Sequence, residues 1–164
     1  MSFNANKTST VTEALESRIT CRDFLDKPVS DKILKRILET SLRSASGGNL
    51  QPWKIHIIQG ETLEKFKKTC VDRMMAGKVE EPTYPAYPSP LWEPQRSWRY
   101  KLGEDMYALM GIEKDNKMGR LAWLAQNGKF FGAPIGIIIT GDKRLDQPQY
   151  MDIGIYLQSL MLLA

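Results

Sequence analysis

The 164-residue sequence is poor in the residues that most often act as metal ligands or catalytic side chains. It has one histidine, His56, and two cysteines, Cys21 and Cys70, which form no CxxC pair. A disulfide framework or a zinc site needs more of these residues at closer spacing. A Ser-His-Asp triad is equally unsupported, because His56 lies within an apolar strand pattern. We therefore predict no metal site and assign no catalytic side chain.

Long apolar runs and strongly charged runs are also missing. No stretch approaches about 18 uninterrupted apolar residues, and the N-terminus lacks the apolar core of a signal peptide. The 23 basic and 19 acidic residues are spread along the chain, so the net charge of +4 marks no nucleic-acid surface. We expect a protein of the reducing cytoplasm, with neither a membrane nor a nucleic acid as partner.

Hydrophobic periodicity predicts an alternation of helices with two strands. Capping signals support several helix starts, among them Thr10-x-x-Glu13 and Ser30. Residues 77–98 contain five of the nine prolines and show no periodicity, which predicts an excursion without regular structure. The predicted helices cover residues 10–17, 31–43, 61–76, 95–110, 115–131 and about 149–163, and the predicted strands cover residues 53–59 and 135–140.

The last helix and the small number of strands bear on how complete the fold is. Two strands rarely form a stable sheet alone, and the last helix is apolar nearly all round, so it needs partners on every side. Both faces of the strand over residues 53–59 are expected to be largely buried. We predict one α+β domain over residues 1–164 and expect the sequence to be incomplete at its C-terminal end.

The segment SRITCRDF, residues 17–24, alternates Arg18, Thr20 and Arg22. In an extended chain, this spacing places both guanidinium groups and the hydroxyl on one face. Arginine pairs two oxygens at once and a hydroxyl fills a further position around a tetrahedral anion, so the face suits a phosphate. The alternative is that the arginines only complement the end of the first helix or point to water.

A glycine-containing loop, SGGNLQ at residues 46–51, joins a predicted helix to a predicted strand. A helix ending at Gly47 or Gly48, with Asn49 in the turn behind it, would explain the loop without any ligand. That account leaves Ser46, Asn49 and Gln51 unexplained, because they offer hydroxyl and amide groups beside backbone that no Cβ obstructs. A flat heteroaromatic cofactor would fit there. No GxGxxG or GxxxxGK[ST] motif occurs, and no set of catalytic side chains is supported. If the protein is an enzyme, a bound cofactor would therefore perform the chemistry.

The motifs, in order and spacing, resemble those of the FMN-dependent nitroreductase superfamily. Later segments resemble its bacterial oxygen-insensitive branch, and the similarity extends over about residues 10–164. Two departures are small: Thr20 stands where serine is usual, and Ala45 where proline is usual. The family also continues beyond the position of Ala164. The matching segments are RITCRDF at 18–24, Pro28-Val29, SGGNLQPW at 46–53, Asn127 with FFGAP at 130–134, and DIG at 152–154 with Gln158, Leu160 and Met161.

The resemblance implies a mixed sheet surrounded by helices, in a homodimer whose subunits share two FMN sites. Arg18, Thr20 and Arg22 would grip the FMN phosphate. The loop with Ser46, Gly47, Asn49 and Gln51 would reach the flavin of the other subunit, and the last helix would lie at the dimer interface. NAD(P)H would deliver hydride to flavin N5 and then be replaced by a small aromatic acceptor, a nitroaromatic or quinone, in a ping-pong reaction.

Two other kinds of function stay open from the sequence. In the first, the chain is a truncated, flavin-free dimerising protein. In the second, it is a sister flavoenzyme such as an enone reductase or a dehalogenase. The excursion over 77–98 is expected to form a substrate-facing lid. The alternative there is that Trp92 and Trp98 only anchor the excursion on the core.

Overall fold

The computed structural model describes residues 8–78, 81–82 and 84–164. Helices and strands occupy most of the positions where periodicity predicts them, which agrees with the expected α+β class. Short 3-10 turns lie at Gly47–Asn49 and Phe130–Gly132. The helices are α1 (Val11–Ser17), α2 (Asp31–Ser41), α3 (Gly60–Met75), α4 (Gln95–Leu109), α5 (Lys117–Ala125) and α6 (Gln147–Leu163), and the strands are β1 (Lys54–Gln59) and β2 (Ile135–Thr140).

The chain forms two compact units, one of residues up to 63 together with 133–164, the other of residues 64–132. The first unit contains the strand pair and all seven predicted site residues. Its strands β1 and β2 pair antiparallel, in a register that runs from Lys54 opposite Thr140 to Gln59 opposite Ile135. Of the expected mixed sheet, the described residues thus supply one antiparallel pair.

The core of the first unit forms around Trp53, Tyr156 and Leu160. Isoleucines of both strands and apolar residues of α2 pack against this cluster. Helix α6 supplies two of the three core residues and packs against α1, α2 and the turn at Gly47–Asn49. The position of that turn is therefore coupled to the packing of the last helix.

Helix α6 has one buried stripe and one exposed apolar face. Asp152, Tyr156 and Leu160, spaced four residues apart, are its buried residues. The helix begins at Gln147, two residues before the predicted start, because Asp146 caps it in a capping box with Gln149 and Pro148 lies in its first turn. The opposite face exposes the side chains of Met151, Ile155, Leu157 and Met161.

Strand β1 corrects one expectation. Both of its faces were expected to be largely buried, but Lys54, His56 and Ile57 are exposed in the described chain. His56 Nε2 lies 3.0 Å from Thr140 Oγ1 across the strand pair. An isoleucine-rich run predicts that a strand is buried, but it does not indicate which element covers each face of the strand.

In the second unit, α4 and α5 are joined by a pair of charged side chains. Arg120 donates to Glu104 through two N–H···O contacts of 2.8 and 3.1 Å, and its guanidinium lies 4.2 Å from the ring centre of Tyr107. Helix α3 packs near Gly128, where an added Cβ would lie 3.3 Å from the Cβ of Cys70. All of these contacts lie within the second unit.

Helix α5 is shorter than predicted. It covers Lys117–Ala125 and not residues 115–131, and the side chain of its N-cap, Asn116, accepts from the Gly119 N–H. The helix ends at Ala125, and residues 130 and 131 cannot belong to it because Phe130 and Phe131 both adopt positive φ, at 53° and 51°. That conformation cannot continue a right-handed helix.

The excursion over residues 77–98 is partly described, since residues 79, 80 and 83 lie outside the described residues. Its described part before α4 contains no helix or strand. The Arg99 guanidinium of α4 lies 4.3 Å from the ring centre of Tyr87. Trp92 and Trp98 are 59% and 66% exposed, so neither ring is anchored in a core of its unit.

Candidate functional site

The loop that joins α2 to β1 is tightly wound around its two glycines. Gly48, Asn49 and Gln51 all have positive φ, at 57°, 57° and 45°. Glycine and asparagine adopt this conformation readily, whereas glutamine does so at a cost in free energy. The sequence therefore predicts the turn, but not the left-handed Gln51.

Hydrogen bonds within the loop fix the polar groups that the sequence singles out. Ser46 Oγ accepts from the Gln51 N–H at 3.0 Å, and the Gln51 side-chain amide donates to Asn49 Oδ1 at 3.0 Å. The backbone N–H of Asn49 donates to Ser46 O, and that of Leu50 donates to Gly47 O. The four predicted residues Ser46, Gly47, Asn49 and Gln51 are thus brought together in one ordered turn.

The two glycines of the loop have different reasons to be glycine. Gly48 has a φ of 57°, so its identity follows from the backbone. Gly47 does not have positive φ, and an added Cβ would meet nothing closer than Asp152 Oδ2 at 3.8 Å, an ordinary contact. An alanine would therefore fit at residue 47, and the fold of the chain does not explain the glycine there.

The loop is fixed from outside by the buried stripe of α6. The Gly47 N–H donates to both carboxylate oxygens of Asp152, at 3.3 and 3.2 Å, and Asp152 is 8% exposed. Where the loop enters β1, Trp53 stacks on Tyr156 with 4.9 Å between ring centres. The sequence assigns no role to Asp152; its signals are a lone carboxylate in a largely apolar helix and the match of the segment DIG at 152–154.

The other predicted group, Arg18, Thr20 and Arg22, lies on the connection between α1 and α2. Arg18 is the C-cap of α1, and its backbone N–H donates to Ala14 O. All three side chains are exposed. Among the described residues, neither arginine forms a salt bridge, and none of the three side chains hydrogen-bonds to the loop over 46–51.

Tyr156 is the site-adjacent group whose proton equilibrium the fold changes. Its ring is fully buried against Trp53, and burial raises the pKa of its phenol above the ordinary value near 10. The phenol therefore stays protonated at neutral pH. Within the described ranges, no group of three or more histidine, cysteine or acidic residues is arranged to hold a metal ion. No helix there has the length and apolar character needed to cross a bilayer.

Comparison with known proteins shows what this chain is similar to. The model of the nitroreductase family matches residues 15–164. The chain is 33% identical to the nitrobenzene nitroreductase of Ectopseudomonas oleovorans over 159 residues, which are 94% of this chain and 68% of that protein. It is 32% identical to the chloronitrobenzene nitroreductase of Comamonas testosteroni, with the same coverage.

A solved structure extends the similarity to three dimensions. The crystal structure of the FMN and NADPH-dependent nitroreductase NfnB from Sphigopyxis sp. strain HMH matches with a TM-score of 0.90 and 39% sequence identity. The match covers 94% of this chain and 70% of that one. The expected fold and the expected class of oxidoreductase are both confirmed, and the chain belongs to the nitroreductase family.

Proposed function

We propose that the protein binds FMN and uses NAD(P)H to reduce nitroaromatic compounds. Its relatives support this chemistry: two are a nitrobenzene and a chloronitrobenzene nitroreductase, and the NfnB enzyme depends on FMN and NADPH. When bound, FMN supplies the redox chemistry. The chain's own residues bind it, orient it and exclude water.

The observation on which this proposal rests is the glycine at residue 47. Because a Cβ fits there within the chain, the glycine is best explained by something that approaches the Cα from outside. The backbone N–H of Gly47 already donates to Asp152, and the carbonyl oxygen of Gly47 accepts from the Leu50 N–H. Gly47 would therefore contribute an uncovered Cα surface for a flat ring, not a hydrogen bond.

The remaining predicted residues fit the other parts of FMN. Arg18 and Arg22 are exposed, with no acidic partner among the described residues, so both guanidinium groups are available to a phosphate. Thr20 would add its hydroxyl. Ser46, Asn49 and Gln51 present polar side chains beside Gly47, where the hydrogen-bonding edge of the ring system would lie.

Helix α6 supports the dimer that the proposal includes. Gly154 lies in the middle of its exposed face, among Met151, Ile155 and Met161, and an added Cβ there would meet nothing within 4 Å. A glycine inside a helix costs about 1 kcal/mol relative to alanine, so its presence needs a reason. Close approach of a helix of a second subunit is such a reason, and it would couple FMN binding to dimerisation.

The proposal also includes the order of the reaction, the range of acceptors and the role of residues 77–98. We propose that nicotinamide and acceptor use one site in turn, that quinones are further acceptors and that residues 77–98 serve as a lid. The single-domain organisation over 1–164 and the cytoplasmic location also remain predictions. Acceptor profiling would separate nitro reduction from enone reduction or dehalogenation.

The proposal is tested with Gly47→Ala, measured by FMN titration and by NAD(P)H oxidation with nitrobenzene. We expect a folded protein whose FMN affinity falls by about ten-fold or more, because the new methyl group occupies the approach to the ring. The matched control is Gly103→Ala, a glycine in α4 where an added Cβ meets nothing within 4 Å. Equal FMN affinity of Gly47→Ala and the wild type would contradict the proposal.

The dimer is tested by sedimentation with simultaneous flavin absorbance. We expect the flavin to travel with the dimer and the monomer to be colourless. Gly154→Ala should weaken association and flavin loading together, although alanine favours the isolated helix. A colourless protein after addition of FMN would instead favour the flavin-free alternative.

A further inference from the structure

We infer that Asp152 is a positioning residue, which holds the loop over residues 46–51 in the conformation that receives the flavin. The inference rests on the proposed FMN site and adds a residue to it. Asp152 belongs to the last helix and lies far from the loop in sequence, yet both of its oxygens accept the Gly47 N–H. The Gly47 N–H is directed at this side chain and not at a backbone carbonyl.

The burial of Asp152 argues against a purely stabilising role. The side chain is 8% exposed, and Gly47 is its one hydrogen-bond partner in the part of the chain that the structure describes. A buried carboxylate with a single backbone donor costs free energy that an apolar residue would not. Tyr156 and Leu160, its neighbours on the same stripe, are core residues, so the position would suit an apolar side chain.

The contact restrains the loop directly before its left-handed residues. Gly47 comes directly before the left-handed residues Gly48 and Asn49, and Gln51 is left-handed as well. Left-handed non-glycine residues persist only where the surroundings fix them. The Trp53 and Tyr156 stack fixes the end of the loop, and Asp152 fixes its beginning.

Fixing the loop before the ligand arrives removes an ordering cost from binding. A loop that is already in its bound conformation loses less conformational entropy when the ligand binds. Asp152 also turns the Gly47 N–H inward, so that the Cα of Gly47 is the surface left for the ring. Asp152 therefore acts on FMN through Gly47, without touching FMN itself.

The experiment compares Asp152→Ala, Asp152→Asn and the control Leu160→Ala. FMN affinity is measured by fluorescence titration, and hydrogen exchange of residues 46–51 is followed in the flavin-free protein. We expect Asp152→Ala to weaken FMN binding by about ten-fold to one-hundred-fold, the effect of losing a hydrogen bond to a charged group, and to speed exchange in the loop. Asp152→Asn keeps one acceptor oxygen, so it should recover most of the affinity.

Leu160→Ala separates this role from general stability. It removes a buried side chain of the same stripe, so it should lower the melting temperature but leave the FMN affinity of the folded protein within about three-fold. FMN affinity of Asp152→Ala equal to the wild type would overturn the inference, and so would equal losses in Asp152→Ala and Leu160→Ala. If the wild type binds no FMN, the proposed function fails; unchanged loop exchange in Asp152→Ala would separately refute the positioning role.

Discussion

Tyr156 stacks on Trp53 with 4.9 Å between ring centres and 24° between ring planes, while its hydroxyl is buried without a hydrogen-bond partner among the described residues. The ring and the hydroxyl therefore have opposite effects on stability. The ring fills the core of the first unit. The hydroxyl loses its hydrogen bonds to water on folding and gains none from the residues around it.

Tyr156→Phe should leave the free energy of unfolding unchanged or raise it by up to about 1 kcal/mol, because only the unpaired hydroxyl is removed. Urea unfolding followed by tryptophan fluorescence measures the change. Trp53→Ala, which removes the other ring, should lower the free energy of unfolding by about 3 to 5 kcal/mol. A loss of stability in Tyr156→Phe would show that the hydroxyl has a partner in solution.

Arg18→Ala and Arg22→Ala should each weaken FMN binding by about 1.5 to 3 kcal/mol, because each removes a charge-assisted bond to phosphate. Flavin titration measures the affinity, and the melting temperature should stay near that of the wild type because both side chains are exposed. Arg36→Ala, an exposed arginine of α2, serves as the control for loss of one positive charge. Unchanged affinity in both test variants would remove the phosphate assignment.

Alanine at Tyr84, Tyr87 or Trp92 should change the preference among nitroaromatic acceptors more than the rate of nicotinamide oxidation. The reason is that aromatic rings in a lid would stack on a flat acceptor. Stopped-flow measurement of the two half-reactions separates these effects. Leu102→Ala, at an exposed position of α4, is the control. Equal effects on both half-reactions would show that the excursion has no special contact with the acceptor.

The pair formed by Glu104 and Arg120 should make the second unit sensitive to acid. The hydrogen bonds from Arg120 lower the pKa of Glu104 below its ordinary value. A carboxyl with a lowered pKa stabilises the folded state above its unfolded pKa, and this contribution is lost as the pH falls through and below about 4. Glu104→Gln should therefore be less stable than the wild type at pH 7, and the difference should narrow toward pH 3. A difference that is independent of pH would contradict the ion pair.

The sequence predicts most elements of this fold because their signals are local. The capping box at Thr10 and the isoleucine-rich runs of the two strands depend on a few neighbouring residues, and both the box and the strands are present in the structure. Boundaries that depend on conformation are less predictable. The left-handed Phe130 and Phe131 lie where the apolar pattern predicts helix, and no glycine stands at those two positions to announce the change.

The candidate site likewise has features that a local sequence pattern predicts and features that it does not. Motif and spacing indicate the residues of the loop over 46–51, and the structure brings them together. The contact between Gly47 and Asp152 joins residues that are distant in the chain, so no local pattern contains it. No local pattern distinguishes the reasons for glycine at residues 47 and 48 either, because these depend on φ and on neighbouring atoms.

The antiparallel register of β1 and β2 has a consequence for how the chain folds. Gln59 lies opposite Ile135, so the entire segment 60–134 must be enclosed in a loop before the first ladder hydrogen bond can form. Closing a long loop costs entropy before the strands gain any contact, and such distant pairings slow folding. We therefore expect α3, α4 and α5 to acquire structure early, with strand pairing as a late and rate-limiting step.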